Sequence, residues 1–179
     1  MIPVKKLVLC SLFAALIALL AQISVPLPFS PVPITGQTFG IFLAGSLLGG
    51  KWSAVSVLIY LLLGAVGLPV YSYFQGGLHI LFGPTGGFLW GFVLGCYLLG
   101  KITEKKNSYM ATVLGMFLCM SAYFTLGALY LAFTAGLSFW QAFLLGVAPF
   151  IPLDIVKLLA AASLSLTVRK RLDLDRPVQ

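Results

Sequence analysis

The sequence is a succession of long apolar runs that charged residues only punctuate. Residues 7–25 contain no charge over 19 positions, about 28 Å as a helix, which is enough to cross a hydrocarbon core of about 30 Å. Comparable runs follow to the end of the chain. Only 8% of the 179 residues are charged and 60% are hydrophobic, against roughly 25% charged in a soluble domain. The chain therefore reads as an integral membrane protein. At about 20 residues per crossing it holds about five to seven spans and leaves no room for a catalytic soluble domain. The formal charge of +7 does not indicate nucleic acid, because the basic residues stand singly or in small groups between apolar segments. That is how topology signals are distributed.

The pattern predicts an all-α bundle of six transmembrane helices in a single domain, 1–179, with spans at about 7–25, 34–50, 52–68, 85–100, 109–135 and 150–168. Lys5 and Lys6 precede a run long enough to span, so the first segment is expected to be an uncleaved membrane helix. Pro26, Pro28, Pro31 and Pro33 forbid helix and predict a rigid extended turn. A long loop, 69–84, joins the third and fourth helices; loops of that length are often lids or binding segments. Residues 138–168 would make one helix of about 46 Å, too long for one crossing. Pro149 and Pro152 divide them into a short helix or loop and a sixth span. Of 11 Lys and Arg residues, all but Lys157 fall on one side of this arrangement, Arg176 included. Both termini are thus expected to be cytoplasmic. Cys10, Cys96 and Cys119 stand alone in apolar surroundings and are expected to be packing residues.

Two charges lie inside an apolar run rather than at its edge: Asp154 and Lys157. A charge within the bilayer is costly and marks a ligand site, an ion path or a pairing partner. Three residues apart, the two share a helix face. Asp154 precedes Arg169 by 15 residues, about 22 Å along a helix, which puts it in the outer leaflet. Gln22, Ser24, Gln37 and Thr38 fall at the same outer level, and Tyr71, Tyr73, Gln75 and His79 belong to the loop on that side. The pattern predicts a pocket for a small polar molecule, open outward beneath a Gly-rich lid. Plainer roles stand beside this one: Asp154 and Lys157 as an internal ion pair that fixes packing, Gln37 and Thr38 as helix–helix hydrogen-bonding groups, and His79 as a lid contact or an exposed ring. No nucleophile–base arrangement, metal-ligand spacing or phosphate-cradling motif is present. Energised transport would have to draw on another subunit or an ion gradient.

Four motifs carry a family resemblance: Pro31-Val-Pro-Ile-Thr-Gly-Gln-Thr-Phe-Gly, Tyr60-Leu-Leu-Leu-Gly-Ala-Val-Gly-Leu-Pro-Val, Gly76-Gly-Leu-His-Ile-Leu-Phe-Gly-Pro-Thr-Gly-Gly-Phe and Pro152-Leu-Asp-Ile-Val-Lys. Their order and content resemble the BioY family, the biotin-specific S components of energy-coupling factor (ECF) transporters. Gly36 stands where the family commonly has Leu, and His79 where a small residue is usual. The resemblance implies a multi-pass protein of the bacterial cytoplasmic membrane that binds biotin from outside and is not itself an enzyme. It implies a transmembrane coupling protein and two ATP-binding cassette subunits as partners, which use the ATP; this chain would hold no cofactor. Asp154, Lys157, Gln37, Thr38, Tyr71, Tyr73, Gln75 and His79 are the expected substrate-binding residues. The family's Ala-x-x-x-Ala pattern, which contacts the coupling protein, corresponds to Ala14 and Ala18. A self-sufficient secondary carrier, with Asp154 as a proton or sodium site, is the competing expectation.

Overall fold

Runs dominated by Leu, Ala and other good helix formers become helices wherever Pro and Gly do not interrupt them. The computed structural model describes residues 4–106 and 108–172, so Arg176, one of the predicted cytoplasmic basic residues, lies outside the described residues. In order, the elements are α1 (Val4–Gln22), β1 (Ser24–Leu27), β2 (Ser30–Thr35), α2 (Gln37–Leu48), α3 (Gly50–Ala65), a 3-10 turn (Ser72–Phe74), α4 (Leu78–Leu81), α5 (Gly86–Lys105), α6 (Tyr109–Ala135), α7 (Phe139–Gly146) and α8 (Ile151–Leu172). Helices α1, α5, α6 and α8 are long and apolar enough to cross a membrane, whereas α2 and α3 are shorter apolar helices.

Two connections differ from their sequence expectation. The proline-rich segment is a β-hairpin rather than a plain turn: β1 and β2 pair antiparallel, with Ser24 opposite Thr35 and Leu27 opposite Ser30, and the register breaks around Pro26. Proline has no N–H for the ladder, so the irregularity falls where a bond cannot form. Loop 69–84 is not structureless either. A bridge between Tyr71 and Gln75 closes around the 3-10 turn, and the single-turn α4 follows.

The break between α2 and α3 falls at Gly49, not at Lys51. Gly49 has φ 81°, a left-handed conformation that glycine adopts without steric cost. The backbone of Gly100 on α5 lies against this turn, where a Cβ would come within 2.3 Å of the Gly50 nitrogen. Glu104 accepts the Gly50 N–H at 3.1 Å and so satisfies one of the free donors at the start of α3. Pro149 and Pro152 divide the last apolar region as their chemistry requires. Ser138 and Gln141 cap α7 reciprocally, and Pro152 sits in the first turn of α8, where its missing N–H costs nothing.

Side chains as large as Tyr60, Tyr123, Phe42 and Ile41 are fully buried between the helices. Outward-facing Leu12, Leu62, Met110, Phe133 and Val156 are all exposed, an arrangement at home in lipid and costly in water. Cys10, Cys96 and Cys119 are buried free thiols.

The most extensive helix contact is that of α5 with α6, where glycines let backbones meet. A Cβ on Gly91 would stand 2.5 Å from Tyr123 Cα, and one on Gly95 2.8 Å from the Cys119 carbonyl oxygen. Gly91→Ala and Gly95→Ala are therefore each expected to lower stability by about 1–3 kcal/mol. Thermal denaturation in detergent checks this; an unchanged melting temperature would contradict such close packing.

Candidate functional site

The N-terminus of α8 places a carboxylate where the helix favours one. Asp154 lies in the first turn, at the positive end of the helix dipole. Lys157 follows three residues later, and its Nζ stands 2.7 Å from Asp154 Oδ1. The first turn of α2 meets the pair from the other side: Thr38 Oγ1 donates to the same Oδ1 at 3.0 Å. From the middle of α6, the Tyr123 hydroxyl donates to Oδ2 at 2.6 Å. Lys157 also donates to the Thr35 carbonyl oxygen at 2.6 Å and to Thr38 Oγ1 at 3.1 Å.

Bond counting on this cluster decides its chemistry. An ammonium has three N–H donors, and those of Lys157 meet three acceptors. A carboxylate offers about four acceptor positions. Lys157, Thr38 and Tyr123 occupy three of them, which leaves about one for a ligand donor. Asp154 is only 3% exposed, and an isolated carboxylate so placed would be costly. Its ion pair and hydrogen bonds offset that cost.

Around this floor lies a cavity of about 170 Å³. Phe88, Phe92, Tyr123, Phe124 and Phe150 form its aromatic wall, the hairpin contributes Pro31, Val32 and Pro33, and the loop after α3 contributes Tyr71, Ser72, Tyr73 and Gln75. Tyr123 meets Phe92 edge-on at 5.0 Å and Phe124 at 4.7 Å, the tilted geometry that aromatic quadrupoles favour. A second polar chain runs along one side. Gln37 Nε2 donates to the Tyr60 hydroxyl at 3.0 Å, the Tyr60 and Tyr71 rings meet edge-on, and the Tyr71 hydroxyl donates to the Leu61 carbonyl at 2.7 Å. Burial pushes the Tyr71 phenol up to about 12, so it remains a donor throughout the physiological range.

Of the residues expected to bind substrate, Asp154, Lys157, Gln37, Thr38, Tyr71, Tyr73 and Gln75 line this cavity. Thr38, Asp154 and Lys157 touch one another directly, while Tyr73 and Gln75 are exposed at the loop. His79 does not join them. It is exposed on α4 with its ring beside Gly77, because the short helix turns this position away from the cavity. Ala14, expected on a docking face, is 1% exposed and packed in the core, and Ala18 is half-buried. The exposed face of α1 instead presents Ser11 and Ala15. One residue of register separates the two faces, and the uniformly apolar run of α1 carries no signal that orients it.

Tyr123, Tyr60, Thr35, Thr85 and Ser72 line the cavity without having been singled out. A tyrosine within a long apolar span looks like packing until its hydroxyl is seen to meet a carboxylate. A larger space of about 460 Å³ opens between α1, α2 and α8, but among the described residues Lys5 is its one polar lining residue. It lacks the converging polar groups that give a small-molecule site its selectivity.

The BioY family model matches residues 1–174. The chain is 39% identical to the biotin transporter BioY of Thermotoga maritima over 172 residues, covering 96% of this chain and 99% of that one. It is 40% identical to the biotin transporter BioY of Rhizobium etli, with 92% of each chain covered. It superposes with a TM-score of 0.87 on the crystal structure of an S-component for biotin from an ECF-type ABC transporter, at 28% identity over 93% of this chain and 92% of that chain.

Asp154→Asn leaves Lys157 without its counter-charge and is expected to destabilise the protein by about 3–5 kcal/mol. Adding Lys157→Met to that variant should restore part of the loss, so that the double change costs less than the two single changes summed. Melting curves of all four proteins measure the coupling; additive losses would show that the pair does not act as a unit.

Proposed function

The chain belongs to the BioY family, and from that premise we propose that it is the membrane-embedded S component that captures biotin for an ECF-type transporter. The observation that carries this proposal is the aromatic cavity with a buried, neutralised ion pair at its floor and about one acceptor position to spare.

Biotin suits that arrangement group by group. Its ureido ring has two N–H donors and a carbonyl, its thiophane and valeryl parts are apolar, and its tail ends in a carboxylate. Asp154 Oδ2 accepts a ureido N–H. Lys157, its donors already engaged, pairs with Asp154 and holds it in place rather than serving as the primary anion site. The rings of Phe88, Phe92 and Tyr123 cover the bicycle. Ser72, Tyr73, Gln75 and Thr85 supply polar groups elsewhere on the cavity lining. The expected affinity is nanomolar, about 12 kcal/mol.

In the bilayer, α1, α2, α3, α5, α6 and α8 make six crossings, the shorter α2 and α3 being joined at Gly49. The hairpin and loop 69–84 face outward, and both termini face the cytoplasm, as the one-sided distribution of Lys and Arg supports. Biotin enters from outside, and docking to a transmembrane coupling protein driven by two ATPase subunits delivers it inward. The docking face on α1 is the exposed one, where Ser11 and Ala15 stand four residues apart and permit close helix approach.

Isothermal titration of the purified protein should give a nanomolar Kd for biotin. Tyr123→Phe removes one donor to Asp154 and is expected to weaken binding by about tenfold. Asp154→Asn should abolish tight binding in a variant whose folding is verified. A wild-type Kd weaker than micromolar would reject the proposal. Replacing Ala15 by Trp should spare binding but stop ATP-dependent uptake in reconstituted vesicles, whereas Ala14→Trp should lower the melting temperature. Parallel loss of binding and uptake in Ala15→Trp would refute the docking assignment.

A further inference from the structure

We propose that Gln22, the last residue of α1, is the latch that holds the lid over the cavity, a positioning residue that sets how long biotin is retained without touching it. This rests on the reading that the cavity captures biotin.

Gln22 is half-buried and lies outside the cavity lining. Its Nε2 stands within hydrogen-bond distance of the carbonyl oxygens of Val70 at 3.2 Å, Tyr71 at 3.1 Å and Ala18 of its own helix at 3.1 Å, so its two N–H groups are shared among three acceptors. Its Oε1 accepts the Phe74 N–H at 2.9 Å. One side chain of α1 thus grips the loop backbone on both sides of Ser72. Between those grips the loop presents Tyr71, Ser72 and Tyr73 to the cavity, with Gln75 just beyond.

The gripped segment is strained where the latch holds it. Tyr73 and Phe74 have φ of 61° and 57°, consecutive left-handed conformations in which an L side chain crowds its own backbone. Such geometry persists only where neighbouring contacts over-determine it. The inner end of the loop is firmly anchored: Tyr71 is buried, its hydroxyl donates to Leu61, and its ring fills the space where Gly64 lacks a side chain. The outer end has no such packing, since Tyr73 is 43% and Phe74 70% exposed. Opposite Phe74, the Gln22 carbonyl opposes relaxation toward an ordinary backbone conformation, which would carry Tyr73 off the cavity. Tyr71 is therefore the hinge, Tyr73 and Phe74 the flap, and Gln22 the latch. Because the latch belongs to α1, a shift of α1 against α3 acts directly on the lid.

Gln22→Met keeps the side-chain length and removes every hydrogen bond. Gln22→Glu keeps the acceptor for Phe74 but sets a carboxylate oxygen against the Val70 and Tyr71 carbonyls. Both variants are to be prepared with melting temperatures verified, and release of radiolabelled biotin into excess unlabelled biotin followed beside the wild type. Release is expected to be about tenfold faster in Gln22→Met, equivalent to about 1.4 kcal/mol, and faster also in Gln22→Glu. Association should quicken as well, so that Kd changes less than the release rate. In ligand-free protein, amide exchange at Phe74 should speed up while that of the α5 and α6 interiors stays the same. Unchanged release together with unchanged exchange would overturn the latch. So would a Kd weakened by the full factor with association unaltered, the signature of a lost ligand contact. If the wild type binds no biotin, the capture reading fails, and Phe74 exchange still decides whether Gln22 holds the loop.

Discussion

A carboxylate cannot remain charged in the apolar interior of a membrane bundle unless several donors converge on it, and Asp154 draws its donors from three different helices. Lys157 comes from its own helix α8, Thr38 from the first turn of α2, and Tyr123 from the middle of α6. Lys157 in turn reaches the Thr35 carbonyl at the end of the hairpin. Each partner must stay in place, because an unpaired buried charge is far more costly than the pair is stabilising. The cluster therefore fixes how α2, α6, α8 and the hairpin meet. It also explains how a polar floor exists at all among side chains chosen for lipid, and among the described residues no buried side-chain nitrogen or oxygen is left without a partner.

Close packing on the other side of the cavity makes room for the aromatic wall. Glycines at 87, 91 and 95 on α5 bring its backbone against α6, which lets Phe92 and Tyr123 meet edge-on rather than hold the helices apart. Gly127 on α6 similarly leaves the space that the Phe88 ring occupies. The two constraints complement each other: hydrogen bonds place the polar end of the site, and missing side chains place the apolar end. At the opposite face of the bundle, Arg169 of α8 bonds the Ser46 carbonyl at the end of α2, and Glu104 of α5 caps the start of α3. Charged residues here serve helix ends, where backbone groups would otherwise lack partners.

Loop 69–84 behaves differently from the rest. Its inner part is anchored through Tyr71 and its exit through the Tyr130 hydroxyl and the Trp90 indole, which donate to the Phe82 and Leu81 carbonyls. Its apex has few apolar contacts and an unfavourable backbone, the combination expected of a segment that opens locally while the helices remain folded. A rigid floor beneath an apex of low local stability is a physical basis for tight capture with regulated exchange.

Much of this was legible in the chain. Apolar run lengths determined which segments form the long helices, and the bounds of α6 agree with the span predicted at 109–135. Pro149 and Pro152 determined that the last apolar region divides, and two charges three residues apart in an apolar run determined where the polar site would be sought. Tertiary structure alone decided the rest, because periodicity within an all-apolar helix does not say which face turns inward. Hence Ala14 is buried while Ala15 is exposed, and His79 faces away from a cavity that its neighbours in the loop enter. Hence also Tyr123, which looks like any packing aromatic in its sequence, holds the carboxylate. The sequence places Gln22 at the level of Gln37 and Thr38, yet its partners are backbone groups, which every residue carries. No residue type announces such a bond, and it exists only when the fold brings the end of α1 beside the loop.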